Sequence, residues 1–177
     1  MIEVDIATPD ALRYIVAHLR EDDRIELRAM SLSDDNVDYW VDRIMARSMI
    51  AFVARYNGVP VSAWGMMPMW PGVGAAFAFG TDDWGRALLT MTKHVRRFMI
   101  PLLLEHGFHR IECRSLATRQ EDMGRWLALL DAEPEAVLRG SGARGEDFIL
   151  YRWLSDEHRH APIKTTAPAH RQAGNGG

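Results

Sequence analysis

The sequence has a single cysteine, Cys113, so no internal disulfide can hold its fold together. It also lacks any apolar run close to the roughly 18 residues that a membrane-spanning helix needs. The longest apolar runs are short, as at Phe98–Leu104. The N-terminal residues contain no apolar core of the kind that signal peptides carry. These absences favour a reducing compartment, and we expect a cytoplasmic protein without a membrane partner.

A strong excess of one charge is lacking as well. With 21 basic and 24 acidic residues the formal net charge is −3, so no bulk attraction to nucleic acid is expected. No set of His, Cys, Asp or Glu has the spacing of a metal site, and we predict no metal. Apolar residues make up 47% of the 177 residues and charged residues 25%, which is typical of a globular domain.

The C-terminal residues differ in composition from the rest. From Ser155 onward the chain is rich in polar residues, Pro and Gly, and its one large aliphatic residue is Ile163. Such a segment buries too little apolar surface to offset its ordering entropy. We therefore predict a folded domain over residues 1–154 and a flexible tail over residues 155–177.

Hydrophobic periodicity predicts the order β-α-α-β-β-β-α-β-α-β-β. Ile2, Val4 and Ile6 alternate with polar residues as in a half-buried strand, and Thr8 followed by Pro9 is typical of a helix start. The remaining elements are predicted as follows: a helix or loop at Arg20–Arg28, a helix from Asp34 or Asp35, strands at Met49–Tyr56, Val59–Met67 and Ala75–Phe79, a loop over residues 68–74, a helix at Trp84–Glu105 kinked at Pro101, a strand at Arg110–Leu116, a helix at Glu121–Leu130, and strands at Glu135–Arg139 and Phe148–Leu154. This order predicts an α/β (α+β) sandwich, with a mixed central sheet of about six to seven strands and helices on both faces.

This order resembles the GNAT fold of acetyl-CoA-dependent N-acetyltransferases, over about Met1–Leu154. The sequence also resembles a narrower group of phage-encoded GNAT-like proteins, some of them internal virion proteins of T7-like phages. The segments that carry this second resemblance are Gly80-Thr81-Asp82-Asp83-Trp84, His94–Leu116, Arg125-Trp126-Leu127 and Gly145–Trp153.

The GNAT resemblance implies a site for acetyl-CoA. In that family the loop and helix after the fourth strand bind the cofactor pyrophosphate through backbone amides, as helix N-termini do in general. Here the implied phosphate ligands are the amides of Trp84, Gly85, Arg86 and Ala87, and the implied base is Glu112. The activity implied is acetyl transfer to an amine of a small molecule or a protein.

Two positions depart from the family pattern. Asp83 stands where the family loop has glycine, and its charge would repel a phosphate by about 4 kcal/mol at ~4 Å and an effective dielectric near 20. Leu127 stands where many members have the tyrosine that protonates the departing thiolate, and Tyr151 lies in a different segment. These departures predict either a catalytically degenerate acetyltransferase or, as the alternative, a non-catalytic phage protein associated with the virion or its assembly.

Several other groups have two interpretations, a functional one and a structural one. Cys113 is an acyl acceptor or, as we favour, a small core residue. We interpret His106 and His109 as helix-capping or surface residues, and the His158/His160 pair as a weak metal motif. The basic cluster Lys93, His94, Arg96 and Arg97 binds the 3′-phosphate of CoA or a nucleic acid, or is a solvated helix face. Three interpretations apply to Trp64, Trp70 and Met66–Met69: they line a slot for pantetheine, form a protein interface, or pack in the core and its loops. Gly140, Gly142 and Gly145 are assigned to a hairpin turn rather than a phosphate loop.

Overall fold

The computed structural model describes residues 1–30 and 36–160. Its elements in chain order are β1 (Ile2–Ile6), α1 (Pro9–Ala17), α2 (Glu21–Ala29), α3 (Val37–Arg47), β2 (Ile50–Tyr56), β3 (Val59–Trp70), β4 (Val73–Gly80), α4 (Trp84–His94), α5 (Ile100–Glu105), β5 (Arg110–Leu116), α6 (Asp122–Leu129), β6 (Glu133–Leu138), β7 (Phe148–Leu154) and α7 (Asp156–Arg159). A π-helical turn joins α4 to α5, and a 3-10 turn follows β5.

The first helix starts where its capping residues predict. The hydroxyl oxygen of Thr8 accepts a hydrogen bond from the amide of Ala11 at 3.3 Å, and Pro9 occupies the first helical position. Leu12 and Ile15 then reach the interior with no exposed surface. Capping and periodicity together therefore fix α1 on the sheet.

Seven strands form one sheet in the order β1-β2-β3-β4-β5-β7-β6. All neighbours are antiparallel except β4 and β5, which are parallel, so β4 is the middle strand of a mixed sheet. One apolar core lies between the sheet and α4 to α6, and a second lies between the sheet and the pair α1 and α3. The predicted α/β sandwich with helices on both faces is confirmed.

The hairpin of β3 and β4 is longer than the sequence predicted. The loop predicted over residues 68–74 is wrong, because Pro68 to Trp70 belong to β3 and Val73 and Gly74 to β4. Proline lacks an amide proton and is expected at an irregular position of a strand. Pro68 does lie beside a shift in the β3–β4 register, which is an irregular position of this kind.

The long helix changes its winding before Pro101. A π-helical turn, Val95–Met99, precedes the α-helical segment that contains this proline. The wider turn relieves the clash that a proline ring makes with a preceding carbonyl. The helical period predicts a buried face made of Leu88, Met91, Val95, Phe98, Met99 and Leu102. Met91, Val95 and Met99 are buried as predicted, whereas Phe98 is 46% exposed and Leu103 is buried instead.

Two predicted boundaries involve residues that are not described. The helix α3 begins at Val37 and is capped by the side chain of Asn36, whereas Asp34 and Asp35 lie outside the described residues. Of the predicted tail, Ser155 to His160 are described, and they include the short helix α7. The tail from residue 161 lies outside the described residues, so its flexibility stays a prediction. Within the described part of the chain, no helix is long and apolar enough to cross a bilayer.

Candidate functional site

The two central strands separate after a short stretch of pairing. β4 and β5 pair only where Val73 to Ala75 face Arg110 to Glu112. Beyond that point the ladder stops, so Ala76 to Gly80 and Cys113 to Leu116 have no strand partner across the gap. We call this gap the inter-strand cleft. It exposes backbone amides and carbonyls at the centre of the sheet, where a ligand can bind them.

A cavity of about 880 Å³ opens at the inter-strand cleft. Trp126, Leu127 and Trp153 line it from the α4–α6 side of the sheet. Trp40 and Ile44 of α3 line it from the opposite side. The cavity therefore gives access to the gap from both faces of the sheet, and both mouths are lined mainly by apolar side chains.

The wide end of the inter-strand cleft holds an ion cluster, made of Arg20, Asp23, Glu26 and Arg119. We call it the cleft cluster. Asp23 is 2% exposed, and its Oδ2 accepts a hydrogen bond from the amide of Gly80, at the end of β4, at 2.8 Å. The Arg20 guanidinium donates to the Asp23 carboxylate at 2.8 Å and lies 4.3 Å over the Trp84 ring. The Asp23 carboxylate of α2 thus satisfies the amide at the end of β4.

The same cluster reaches the end of β5. The Glu26 carboxylate accepts hydrogen bonds from the Ser115 hydroxyl at 3.2 Å and from the Leu116 amide at 3.4 Å. Arg119 donates to Asp23 at 3.0 Å and to Glu26 at 3.1 Å. Because it bonds to both carboxylates, Arg119 links the end of β4 to the end of β5. Two arginines balance two carboxylates, so the buried cluster carries no net charge.

The two glutamates that line the cavity have different surroundings. Glu112, the base implied by the resemblance, lies at the last paired position of β4 and β5 and accepts a hydrogen bond from Arg110 at 2.5 Å. The two side chains are about equally exposed, 13% for Glu26 and 12% for Glu112. At Glu26, burial raises the pKa of the carboxyl more than Arg119 and the Leu116 amide lower it. A carboxyl with a raised pKa is better matched to proton transfer near neutral pH.

The loop after β4 satisfies part of its own backbone. The amide of Trp84 donates to the Thr81 carbonyl at 2.9 Å, and the amide of Arg86 donates to the Asp83 carbonyl at 3.0 Å. Gly85 is open, since a Cβ placed there would meet nothing within 4 Å. Of the four residues predicted to bind phosphate, two therefore have internal amide partners, while the side at Gly85 is free for a ligand.

The charge of Asp83 is partly compensated. Its carboxylate accepts a hydrogen bond from the Arg86 side chain at 2.7 Å, and the Arg86 guanidinium lies 4.7 Å from the centre of the Tyr56 ring. Both charged side chains are more than half exposed. The repulsion expected between Asp83 and a phosphate is therefore reduced by the adjacent cation and by solvent.

No tyrosine takes the predicted place of the thiolate acid. Leu127, on α6, is 4% exposed and lines the cavity. Tyr151 is buried on β7 and extends to α6, where its hydroxyl lies 3.0 Å from the Cβ that Gly124 lacks. Tyr151 is not among the described residues that line the cavity. Cys113 does line it, but burial raises the pKa of its thiol, with Glu26 and Glu112 adding to the effect, so the thiol stays protonated.

The remaining sequence candidates have structural roles. His94 is not part of a basic face, because it packs against Phe52 and Phe98 and burial lowers its pKa. His106 caps α5 through a contact of 2.8 Å between Nδ1 and the Leu102 carbonyl oxygen.

His109 stacks on His158 with ring centres 4.5 Å apart. Within residues 1–30 and 36–160, no three His, Cys, Asp or Glu residues are placed to hold a metal ion. The remaining basic residues, Lys93, Arg96 and Arg97, are exposed, and Arg96 pairs with Asp131. The glycines at 140, 142 and 145 lie in the connection between β6 and β7, as predicted.

Sequence reasoning missed the cleft cluster. The stretch around α2 shows only a high charge density, which normally indicates a solvated helix. In the structure α2 instead buries Asp23, while Ile25 is 47% exposed. The spacing of three residues that places Asp23 and Glu26 on one helix face is visible in the sequence, but the partner Arg119 is 93 residues from Glu26.

Comparison with solved structures shows which known fold this chain shares. Neither a protein-family model nor a curated protein matches the sequence. The ribosomal-protein-S5-alanine acetyltransferase from Vibrio fischeri is similar in structure, with a TM-score of 0.63, 16% identity, and coverage of 88% of this chain and 94% of that one. The ribosomal-protein-alanine N-acetyltransferase from Brucella melitensis has a TM-score of 0.61, 17% identity, and coverage of 86% and 99%.

A protein from Salmonella typhimurium, assigned as an acetyltransferase and solved with its cofactor acetyl-CoA, is also similar. Its TM-score is 0.60 and its identity 16%, and the match covers 93% of this chain and 99% of that one. Likenesses at this level of identity show the fold. The chain therefore has the fold of the GNAT N-acetyltransferases, over almost all of its described residues.

Replacing Arg119 with methionine should destabilise the protein by about 3–5 kcal/mol, because two buried carboxylates would lose their shared cation. The measurement is urea denaturation followed by circular dichroism. Arg96→Met is the matched control, since it removes an exposed ion pair with Asp131 and should cost about 1 kcal/mol or less. Arg119→Lys keeps a positive charge at this position, so its free energy of unfolding should fall less than that of Arg119→Met. This variant can be measured even if Arg119→Met does not fold. Equal losses for Arg119→Met and Arg96→Met would contradict the role given to the cleft cluster.

The raised pKa of Glu26 predicts a specific pH dependence of stability. A carboxyl whose pKa is higher in the folded than in the unfolded state binds a proton more tightly when the protein is folded. Its contribution to the free energy of unfolding therefore rises as the pH falls through the folded pKa. The free energy of unfolding of the wild type, minus that of Glu26→Gln, should therefore rise between pH 7 and pH 5. Glu121→Gln, at an exposed carboxylate, is the control and should show no such rise. A difference that falls on acidification would show that Arg119, rather than burial, dominates.

Proposed function

We propose that this protein is an acetyltransferase-like protein that binds an acyl-CoA in the inter-strand cleft and is catalytically degenerate. The observation that carries the proposal is the separation of β4 and β5 after three paired positions, which opens a cavity of about 880 Å³ to both faces of the sheet. A thioester and an amine can approach each other through such a gap. The fold supports the proposal as an analogy, since fold alone does not determine function.

The inter-strand cleft fits the acyl-bearing arm of acetyl-CoA better than it fits the pyrophosphate. The cavity and the unpaired edge of β4 suit the acyl-bearing arm, and the open side at Gly85 leaves space beside the helix start. The amides of Gly80, Trp84 and Arg86 already have partners, so few donors remain for a pyrophosphate. When bound, acetyl-CoA supplies an activated acyl group for transfer to an amine. We expect its affinity to be low.

The residues around the cleft would support only slow transfer. Glu26 and Glu112 each accept a hydrogen bond from an arginine, and Glu26 is the candidate base because burial raises the pKa of its carboxyl. Leu127 cannot donate a proton to a leaving thiolate, and the carboxyl groups of Asp23, Glu26 and Glu112 that line the cavity are paired with arginines. General acid catalysis typically contributes a factor of about 10²–10⁴, which is the loss in rate to be expected here.

A thermal-shift titration with acetyl-CoA tests this proposal. The wild type should show a saturable rise in melting temperature at millimolar ligand, since a ligand at about 100 times its Kd adds about 2.7 kcal/mol of stability. Ala76→Phe places a ring in the cavity and should abolish the shift. Ala46→Phe, at an exposed position of α3, is the matched control and should retain it. No shift with the wild type would remove the acyl-CoA proposal.

The second candidate is a non-catalytic GNAT-fold protein, encoded by a phage and associated with the virion or its assembly. The cleft cluster favours it, because Asp23 and Glu26 bond to the strand ends from within the chain. Its test is mass spectrometry of purified particles of the encoding phage. Presence of this chain in the particles, together with no acetyl-CoA shift, would support it, and absence from the particles would contradict it.

A further inference from the structure

The cavity has an uneven distribution of charge that the acyl-CoA proposal does not use. Three arginines line it: Arg43 and Arg47 on α3, and Arg114 on β5. All three are exposed. Residues four apart on a helix lie side by side, so Arg43 and Arg47 present their guanidinium groups together. Ile111 and Arg114 are three positions apart on β5, so their side chains lie on opposite faces of the sheet. Because Ile111 belongs to the core on the α4–α6 side, Arg114 lies on the face towards α3.

These three cations have no counter-ion within the described residues. Arg43 donates to the Tyr39 hydroxyl, which is neutral, at 3.1 Å. No carboxylate of residues 1–30 or 36–160 lies within ion-pair distance of Arg43, Arg47 or Arg114. The chain as a whole is slightly acidic, with a net charge of −3, so this local excess of positive charge is not a general property of its surface.

The acidic groups that line the cavity each have an arginine partner. Asp23 and Glu26 pair with arginines of the cleft cluster, and Glu112 pairs with Arg110, which it shares with Glu135. Among the described residues that line the cavity, the charged side chains without an ion pair are therefore the three arginines. Because a cavity wall of low dielectric strengthens such a field, an anion entering from this side is attracted and a cation is repelled.

The wall beside these arginines is apolar and aromatic. Trp40, Met67, Met69 and Trp70 line the same cavity, and Trp70 is 56% exposed and Met69 40% exposed. Large apolar side chains that are left exposed at the mouth of a cavity are typical of a binding site. Arginine binds carboxylate and phosphate groups in a bidentate manner, and tryptophan and methionine pack on flat apolar groups.

We propose that the α3 side of the cavity binds a small organic anion, in which a carboxylate or phosphate is joined to an aromatic or aliphatic group. The oxyanion contacts Arg43, Arg47 and Arg114, and the apolar part packs against Trp40 and Trp70. This inference concerns binding alone and does not require acyl transfer. Where the proposed function also holds, an anion of this class that also carries an amine is the acyl acceptor.

The test uses two fluorescent probes that differ in charge. 1-Anilinonaphthalene-8-sulfonate carries a naphthalene, an aniline ring and a sulfonate, whereas N-phenyl-1-naphthylamine has the same rings and no charge. The wild type should bind the anionic probe saturably, with an affinity that falls as NaCl is raised. The double variant Arg43→Gln/Arg47→Gln should lose affinity for the anionic probe by about 10-fold or more, with the neutral probe unchanged.

Arg97→Gln is the matched control, because Arg97 is exposed on the π-helical turn and does not line the cavity. Circular dichroism and melting curves must be the same for all variants, so that binding to partly unfolded protein is excluded. Equal loss of both probes, or no loss of the anionic probe in the double variant, would overturn the proposal. Either result is independent of acetyl-CoA, which is absent from the assay.

Displacement identifies the anionic group. 1-Naphthoate and 1-naphthyl phosphate share the naphthalene ring and present a carboxylate or a phosphate. Displacement of the bound sulfonate probe by one of them, but not by uncharged naphthalene methanol, would support the proposal and select the oxyanion. Displacement by naphthalene methanol at the same concentration would contradict it, since the arginines would then have no part in recognition.

Discussion

The shape of the inter-strand cleft depends on the hydrogen bonds that α2 and Arg119 make to the diverging ends of β4 and β5. Strands that separate in the middle of a sheet leave backbone donors and acceptors without partners, which is costly unless other groups satisfy them. Asp23 satisfies Gly80, Glu26 satisfies Leu116, and Arg119 joins the two carboxylates. The gap is thus stabilised by side chains of the protein itself, and a ligand is not required to keep it open.

These bonds at the ends of β4 and β5 affect both ligand binding and catalysis at the cleft. The gap lies at the centre of a GNAT fold, and residues from both faces of the sheet line its cavity. The groups that fill its wide end bond to the amides of Gly80 and Leu116, and Leu127 stands at the position where the resemblance implies an acid. On the α3 side, three arginines have no ion pair among the described residues, which supports the proposal of an anionic ligand on that side.

Alternation and capping are local signals, so they were sufficient to predict most of the order of elements and an α/β sandwich, and the resemblance of that order to the GNAT fold supplied the rest. Thr8 caps α1, the Asn57–Gly58 turn has the positive φ angles of a tight hairpin, and Gly107 ends the long helix with φ of 84°. A period of 3.6 predicted Met91, Val95 and Met99 in the buried face of the long helix correctly but failed at Phe98 and Leu103, where the π-helical turn changes the winding. The candidate site was predicted in its strand and loop, but its cluster was not, because Arg119 meets Asp23 and Glu26 only in the folded chain.

Amide hydrogen exchange at Gly80 and Leu116, followed by NMR spectroscopy, tests the central claim most directly. Both amides lie at the ends of strands that have no ladder partner across the gap, so only the carboxylates of Asp23 and Glu26 can protect them there. The account predicts slow exchange at both positions in the wild type, and faster exchange at both in Arg119→Lys. Exchange of both amides at the rate of an unfolded chain in the wild type would contradict it.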